Sequence, residues 1–195
     1  FQTDAGRGIA FDSYDNVYLT GHFKNTVEFD PDNLGVCKLE AARDNKFDVF
    51  LAKYDTTNGE CQWANRVGKN TAWRDADDYG YGIAVDERLD VDGNPVGGVY
   101  ITGTYHSKPL QFFSLGSSTE VGNLDRWGGA TPDNGFLAKY ELDGTFKWAH
   151  RFGNKYDDKG TGIAVDSAGF VYLTGTFRVN NDNWRWWTNS AYFGN

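Results

Sequence analysis

The chain has 195 residues, enough for one sizeable core, with 39% hydrophobic and 24% charged residues, an ordinary globular balance. Its 19 Lys and Arg against 27 Asp and Glu leave a net charge of −8, which excludes a general nucleic-acid binder because phosphate contacts need clustered cations. No run approaches the roughly 18 apolar residues of a membrane-spanning helix, and 24 Gly with 16% aromatic residues favour an all-β protein.

In chain order, the first element is a phrase, Asp4-Ala-Gly-Arg-Gly-Ile-Ala-Phe-Asp12, that returns as Asp78-Tyr-Gly-Tyr-Gly-Ile-Ala-Val-Asp86 and Asp158-Lys-Gly-Thr-Gly-Ile-Ala-Val-Asp166. Each copy leads through a turn into Val-Tyr-Leu/Ile-Thr-Gly. Asp, Asn and Gly tolerate the backbone angles of hairpin turns, so each pair is read as two short strands. Both strands are apolar on both faces, which predicts a place between two layers. The recurring Asp4, Asp78 and Asp158 are read as caps of tight turns before Gly, serving the fold.

The next element is an insertion, residues 24–49 in the first unit and 106–135 in the second. In the first, Thr26-Val-Glu-Phe-Asp and Val36-Cys-Lys-Leu-Glu flank Pro31-Asp-Asn-Leu-Gly35 and predict an added hairpin; the second is Gly- and Ser-rich and reads mostly as a loop. A second phrase closes the unit: Phe50-Leu-Ala-Lys-Tyr54 to Trp63, and again Phe136-Leu-Ala-Lys-Tyr140 to Trp148. Asn58-Gly59 and Asp143-Gly144 mark its hairpin turns, and each Trp is expected to wedge against the neighbouring unit. Four strands per unit is a β-propeller blade. The expected organisation is one partial propeller: residues 2–68 as blade one, 76–153 as blade two and 156–195 as the start of blade three. A closed propeller needs about four to eight blades. With no Met and an immediate entry into the repeat, the chain is expected to be a segment of a longer polypeptide.

Taken together, Asp-x-Gly-x-Gly-Ile-Ala-Val-Asp, Val-Tyr-Leu-Thr-Gly-x-Phe, Thr26-Val-Glu-Phe-Asp-Pro31 and Asp48-Val-Phe-Leu-Ala-Lys-Tyr-Asp55 with a following Trp resemble the bacterial and archaeal seven-bladed β-propeller repeats. The resemblance spans about residues 2 to 177 and implies an exported or cell-surface protein. The second unit departs from it, with Leu110-Gln-Phe-Phe113 in place of the Val-Glu-Phe-Asp-Pro phrase.

In an up-and-down blade, connections alternate between the two ends, so the insertions share a face with the inter-blade linkers. Trp73, Asp75, Asp77, Trp127 and Asp157 are the candidate binding residues of that aromatic and acidic rim. Asp90 and Asp92, with Asp30 and Asp32, are weak Ca²⁺ candidates, because neither run completes the Asp-x-Asp-x-Asp-Gly spacing with its distal Glu. His22, His106 and His150 fall at unrelated repeat positions, which argues against a metal or acid–base set. Cys37 and Cys61, the only cysteines, fit either one disulfide or two buried thiols. The Thr57-to-Trp63 stretch is similar to the tryptophan-docking phrase of quinoprotein propellers, but nothing supplies a quinone pocket.

The expected function is a non-catalytic extracellular or cell-surface scaffold or binding propeller, without cofactor. Its expected partners are protein segments or subunits of a surface assembly, or a glycan, and not nucleic acid. This reading expects no strongly perturbed carboxylate pair at the rim. The alternative is a propeller enzyme acting on polysaccharide, which needs two facing carboxylates.

Overall fold

A computed structural model describes residues 3–42, 45–69, 77–114, 119–125, 133–153 and 156–177. Their regular structure is all β. The first unit contributes β1 (Ala5–Phe11), β2 (Asn16–Phe23), β3 (Thr26–Glu28), β4 (Lys38–Glu40), β5 (Asp48–Asp55) and β6 (Cys61–Val67). The second contributes β7 (Asp78–Asp86), β8 (Gly98–Tyr105), β9 (Leu110–Phe113), β10 (Glu120–Leu124), β11 (Asn134–Tyr140) and β12 (Phe146–Phe152). The third phrase forms β13 (Lys159–Val165) and β14 (Val171–Thr176).

Strands β1-β2-β5-β6 and β7-β8-β11-β12 are two antiparallel four-stranded blades, and β13-β14 repeats the inner half of one. The inner strands β1, β7 and β13 pack side by side. Each carries a register shift between the two glycines of the phrase, Gly6/Gly8, Gly80/Gly82 and Gly160/Gly162. The reason for glycine is proximity: a Cβ on Gly80 would stand 2.7 Å from Thr20 Oγ1 of the preceding blade, and one on Gly160 would overlap Thr102 Oγ1. Those threonines are themselves fixed, donating to Phe50 O (2.8 Å) and Phe136 O (2.7 Å).

The hairpin turns follow one local design with one exception. Asp12 Oδ1 accepts from the backbone N–H groups of Tyr14 and Asn16, and Asp166 Oδ1 accepts from those of Ala168 and Phe170. The other oxygen takes the Tyr18 hydroxyl (3.0 Å) or the Tyr172 hydroxyl (2.8 Å). In the second unit the loop is longer, and Asp86 instead pairs with Arg88 at 2.8 Å. Arg88 then donates to Ala168 O of the third unit (2.8 Å), while Ser13 of the first donates to Glu87 Oε1. The turns are thereby linked from unit to unit.

One core lies between the first two blades. Val49, Leu51, Trp63 and Val67 of the first meet Ile83, Ile101, Phe136 and Tyr140 of the second. Trp63 is the expected wedge: it is buried, its indole N–H donates to Leu142 O (3.3 Å), and Asn65 beside it donates to Gly144 O (2.6 Å). Both blades repeat the same ring geometry, Tyr18–Trp63 at 6.1 Å and Tyr100–Trp148 at 6.0 Å.

The insertions differ from expectation in one respect. The first forms the anticipated hairpin, β3–β4, which covers Phe23, Phe50, Ala52 and Ala64 on the far face of blade one. Cys37 and Cys61 form a disulfide that fixes this hairpin to β6, resolving the alternative that their spacing left open. The second insertion, expected as a loop, is also a hairpin, β9–β10. Its β9 bonds to the free edge of β6 through Val67–Phe112, making a six-stranded sheet. Strand formation there is a tertiary effect: an open edge supplies backbone partners, and Phe112 stacks on Phe146 at 5.0 Å.

Candidate binding face

Insertions and inter-blade linkers do meet at one end of the blades. The Phe47 N–H donates to Asp77 Oδ1 (3.0 Å) and the Asp78 N–H to Phe47 O (2.8 Å). One unit on, the Asp133 N–H donates to Asp157 Oδ1 (3.1 Å) and the Asp158 N–H to Asp133 O (2.9 Å). Asp77 and Asp157, two of the expected binding residues, are therefore equivalent clamps that hold the end of an insertion to the start of the next blade. Asp77 also lies 3.8 Å from Lys46 Nζ. Trp73, Asp75 and Trp127 lie outside the described residues.

Two of the repeated aspartates, Asp4 and Asp78, have a different task from the turn caps expected of them. Asp78 is fully buried; Oδ1 accepts from the backbone N–H groups of His106 (2.9 Å) and Ser107 (3.0 Å), and Oδ2 from the Ser107 hydroxyl (2.5 Å). Asp4 likewise accepts from the Lys24 N–H at 3.0 Å. The carboxylate thus binds the chain as it leaves the second strand, at the root of the insertion.

Directly beneath the rim lies a perturbed pair, contrary to the expectation of none. Burial pushes Asp78 up to about 7, reinforced by the nearby Asp48 charge. Burial also pushes Asp48 up to about 6, against the opposing effects of the Ala42 N–H and of Arg66, whose Nη1 is 3.3 Å away. Both side chains are enclosed, with Asp48 5% exposed and Asp78 at 0%. They join blade one, blade two and both insertions.

What the face presents outward is aromatic. On β7, Asp78, Gly80 and Gly82 are buried while Tyr79 and Tyr81 between them are half-buried, as strand alternation requires. Their rings stack at 6.2 Å and 18°. Tyr79 also meets His22 (4.8 Å) and Phe47 (5.6 Å), and Lys159 Nζ sits 3.8 Å over the Tyr81 ring. Burial raises the Tyr79 hydroxyl to about 12, with Asp77 adding to it. Burial lowers His22, as does Arg7, against the opposing charges of Asp4 and Asp77. Such an arrangement offers stacking area with a polar edge.

Sequence reasoning passed over these residues because they sit inside the repeated phrase. The signal was the variable x of Asp-x-Gly-x-Gly: Ala5 and Arg7, Tyr79 and Tyr81, Lys159 and Thr161. The remaining candidates are not at this face. Asp90 Oδ1 accepts from the N–H groups of Asp92 and Asn94, organising its own turn, and those bonds lower its carboxyl. Asp30 accepts from the Asn33 and Cys61 N–H groups. Among the described residues, no group of three or more His, Cys, Asp or Glu side chains is placed to hold a metal.

Blades of four antiparallel strands, stacked through their inner strands and Trp wedges, define a β-propeller protein. Residues 147–176, from β12 through β14, match the family model of the beta-propeller repeat SBBP. The chain is also similar to an uncharacterized WD repeat-containing protein of Acanthamoeba polyphaga mimivirus, 27% identical over 135 residues. That match covers 67% of this chain and 9% of the relative.

Proposed function

We propose that this chain is a non-catalytic binding and scaffold portion of a propeller, acting at a prokaryotic cell surface or in a secreted assembly. The observation that carries the binding reading is the half-buried Tyr79–Tyr81 stack capped by Lys159, on a face where the Asp4 and Asp78 carboxylates are bonded to backbone. A ligand with a flat apolar side and a polar rim fits it, a sugar ring foremost and an aromatic side chain of a partner protein next. The Cys37–Cys61 bond supports an oxidising compartment, since disulfides persist there and are rare in reducing cytosol. The similarity to a WD repeat-containing protein supports a propeller module without naming a ligand.

The reading is tested on a glycan array with the wild-type chain and Tyr81→Ala. Binding that falls at least about tenfold in the variant, the loss of one stacking contact worth on the order of 1 kcal/mol or more, supports it. Binding that Tyr81→Ala leaves unchanged sinks it.

A polysaccharide-cleaving enzyme is the second reading, and the raised Asp48 and Asp78 pair is the observation in its favour. Against it stand their enclosure and the bonds that tie Asp78 to the His106 and Ser107 backbone and Asp48 to the Ala42 N–H and Arg66, whereas a glycosidase needs two carboxyls facing the substrate.

A further inference from the structure

Because β1, β7 and β13 pack side by side, the variable positions of the repeated phrase, with Arg7 on the first strand, Tyr79 and Tyr81 on the second and Lys159 on the third, become neighbours. Lys159 reaches across to β7, its Nζ 3.8 Å above the Tyr81 ring. On the other side a Cβ on Gly8 would stand 3.1 Å from Tyr81 O, so the residue after Arg7 abuts β7 beside the same tyrosine. The Arg7 charge acts on His22, whose ring lies 4.8 Å from Tyr79. A third cation, Lys24, has its Nζ 5.5 Å over Phe47, itself 5.6 Å from Tyr79. Cations therefore flank the aromatic cluster.

The chain as a whole is acidic, at −8, yet among the described residues none of these three cations has a counter-ion, the ion pairs being made by other groups. The carboxylates close by are already engaged. Asp77 accepts from the Phe47 N–H and lies 3.8 Å from Lys46 Nζ, and Asp133 lies 2.6 Å from His106 Nδ1. Asp4 accepts from the Lys24 N–H, and Asp157 from the Asp133 N–H. More distant carboxylates act weakly here, because salt screens exposed charges beyond about 8 Å at physiological ionic strength. What remains to meet a ligand is two rings and positive charge.

We infer that the Tyr79–Tyr81 face takes an acidic polysaccharide, a polyuronate whose sugar rings stack on the tyrosines while their carboxylates meet Lys159 and Arg7. The inference rests on the stacking role proposed above and adds the charge of the ligand. A neutral sugar laid on Tyr81 must strip water from the Lys159 ammonium and return only hydroxyls. A carboxylate returns a counter-ion, and hydrogen bonds between ionised partners are about twice as strong as neutral ones. Arg7 adds a planar fork of donors that matches a carboxylate. Three cations around two rings suit a short run of carboxylated sugars, whereas a nucleic acid needs a longer track of phosphate contacts.

Titration calorimetry with polygalacturonate and with its methyl ester tests it, since esterification removes the charge and keeps the sugar. The wild-type chain is expected to bind the acid at least about tenfold more tightly than the ester, the difference that one charge-assisted contact makes. Lys159→Gln and Arg7→Gln should each weaken binding of the acid and leave that of the ester unchanged, whereas Tyr81→Ala should weaken both. Equal affinity for acid and ester, still lowered by Tyr81→Ala, overturns the inference and leaves the proposed stacking role standing. Binding of the acid that the two cation variants weaken but Tyr81→Ala does not overturns the inference together with the stacking it rests on. Equal affinity for polyacrylate, which carries the charge without the ring, overturns it too.

Discussion

At the scale of single residues, position in the repeat separates structural groups from candidate functional ones. Asp78 is required by the backbone it binds, and its carboxyl is pushed up to about 7, with Asp48 at about 6. Unfolded, both titrate near 4. Between about pH 4 and 7 the folded state therefore holds more protons than the unfolded one, and the stability these groups contribute is lost as pH rises. Asp12 and Asp166 work in the opposite sense: burial opposes ionisation of Asp12, but the hydrogen bonds that each accepts lower both carboxyls. Their contribution is lost as pH falls below the usual carboxylate range. Lowered by burial, His22 and His150 oppose this over the same range, so the contribution of the pair is the part of the pH 5 to pH 8 difference in melting temperature that depends on Asp78. Asp78→Asn, a mimic of the neutral acid that keeps acceptor and donor in place, should flatten that difference, whereas Asp78→Ala should cost on the order of 1–3 kcal/mol by leaving the His106 and Ser107 N–H groups unpaired. A pH 5 to pH 8 difference that is the same in the wild-type chain and in Asp78→Asn would contradict this account of the pair.

Trp63 is the other decisive residue. Buried between blades with its indole N–H and its neighbour Asn65 both bonded across the junction, it should cost about 3–5 kcal/mol when replaced by alanine, read by denaturant titration. Its role as a wedge was legible in the sequence because the same Trp recurs after the same turn. The Asp48–Asp78 pair was not, because its members are separated along the chain and belong to different units; only the packing of β5 against β7 brings them together.

At the scale of elements, each blade hairpin was readable where local chemistry decides it: Asp and Asn-Gly turns between short runs of β-branched and aromatic residues. Hairpin β3–β4 carried such a signal. Hairpin β9–β10 did not, since its β conformation depends on the β6 edge and on Phe112 packing rather than on its own sequence. Two element-level outcomes follow. Reduction of Cys37–Cys61, which are 24 residues apart, should lower stability by about 3 kcal/mol on the chain-entropy estimate, visible as a lower melting temperature in dithiothreitol. In the 195-residue chain, Gly80→Ala should be destabilising, because its Cβ would lie 2.7 Å from Thr20 Oγ1, while Gly6→Ala should be close to neutral. Equal effects of the two would mean that the inner strands do not pack as described.

At the scale of the molecule, repetition and variation divide the labour. The parts that recur, namely the Asp, the paired glycines, the Thr-Gly and the Trp, build and stack the blades. The inner-strand x positions and the insertions do not recur, and they give each unit its own surface. Tyr79, Tyr81 and Lys159 meet on the face where the insertions end, and that meeting is the basis of the binding role proposed for this chain. The most direct test is a reducing-end assay on a panel of polysaccharides with wild-type protein, Asp48→Asn and Asp78→Asn. The account predicts no release of reducing ends above background by any of the three. Release by the wild-type protein that disappears in either variant would contradict it and make the buried pair catalytic.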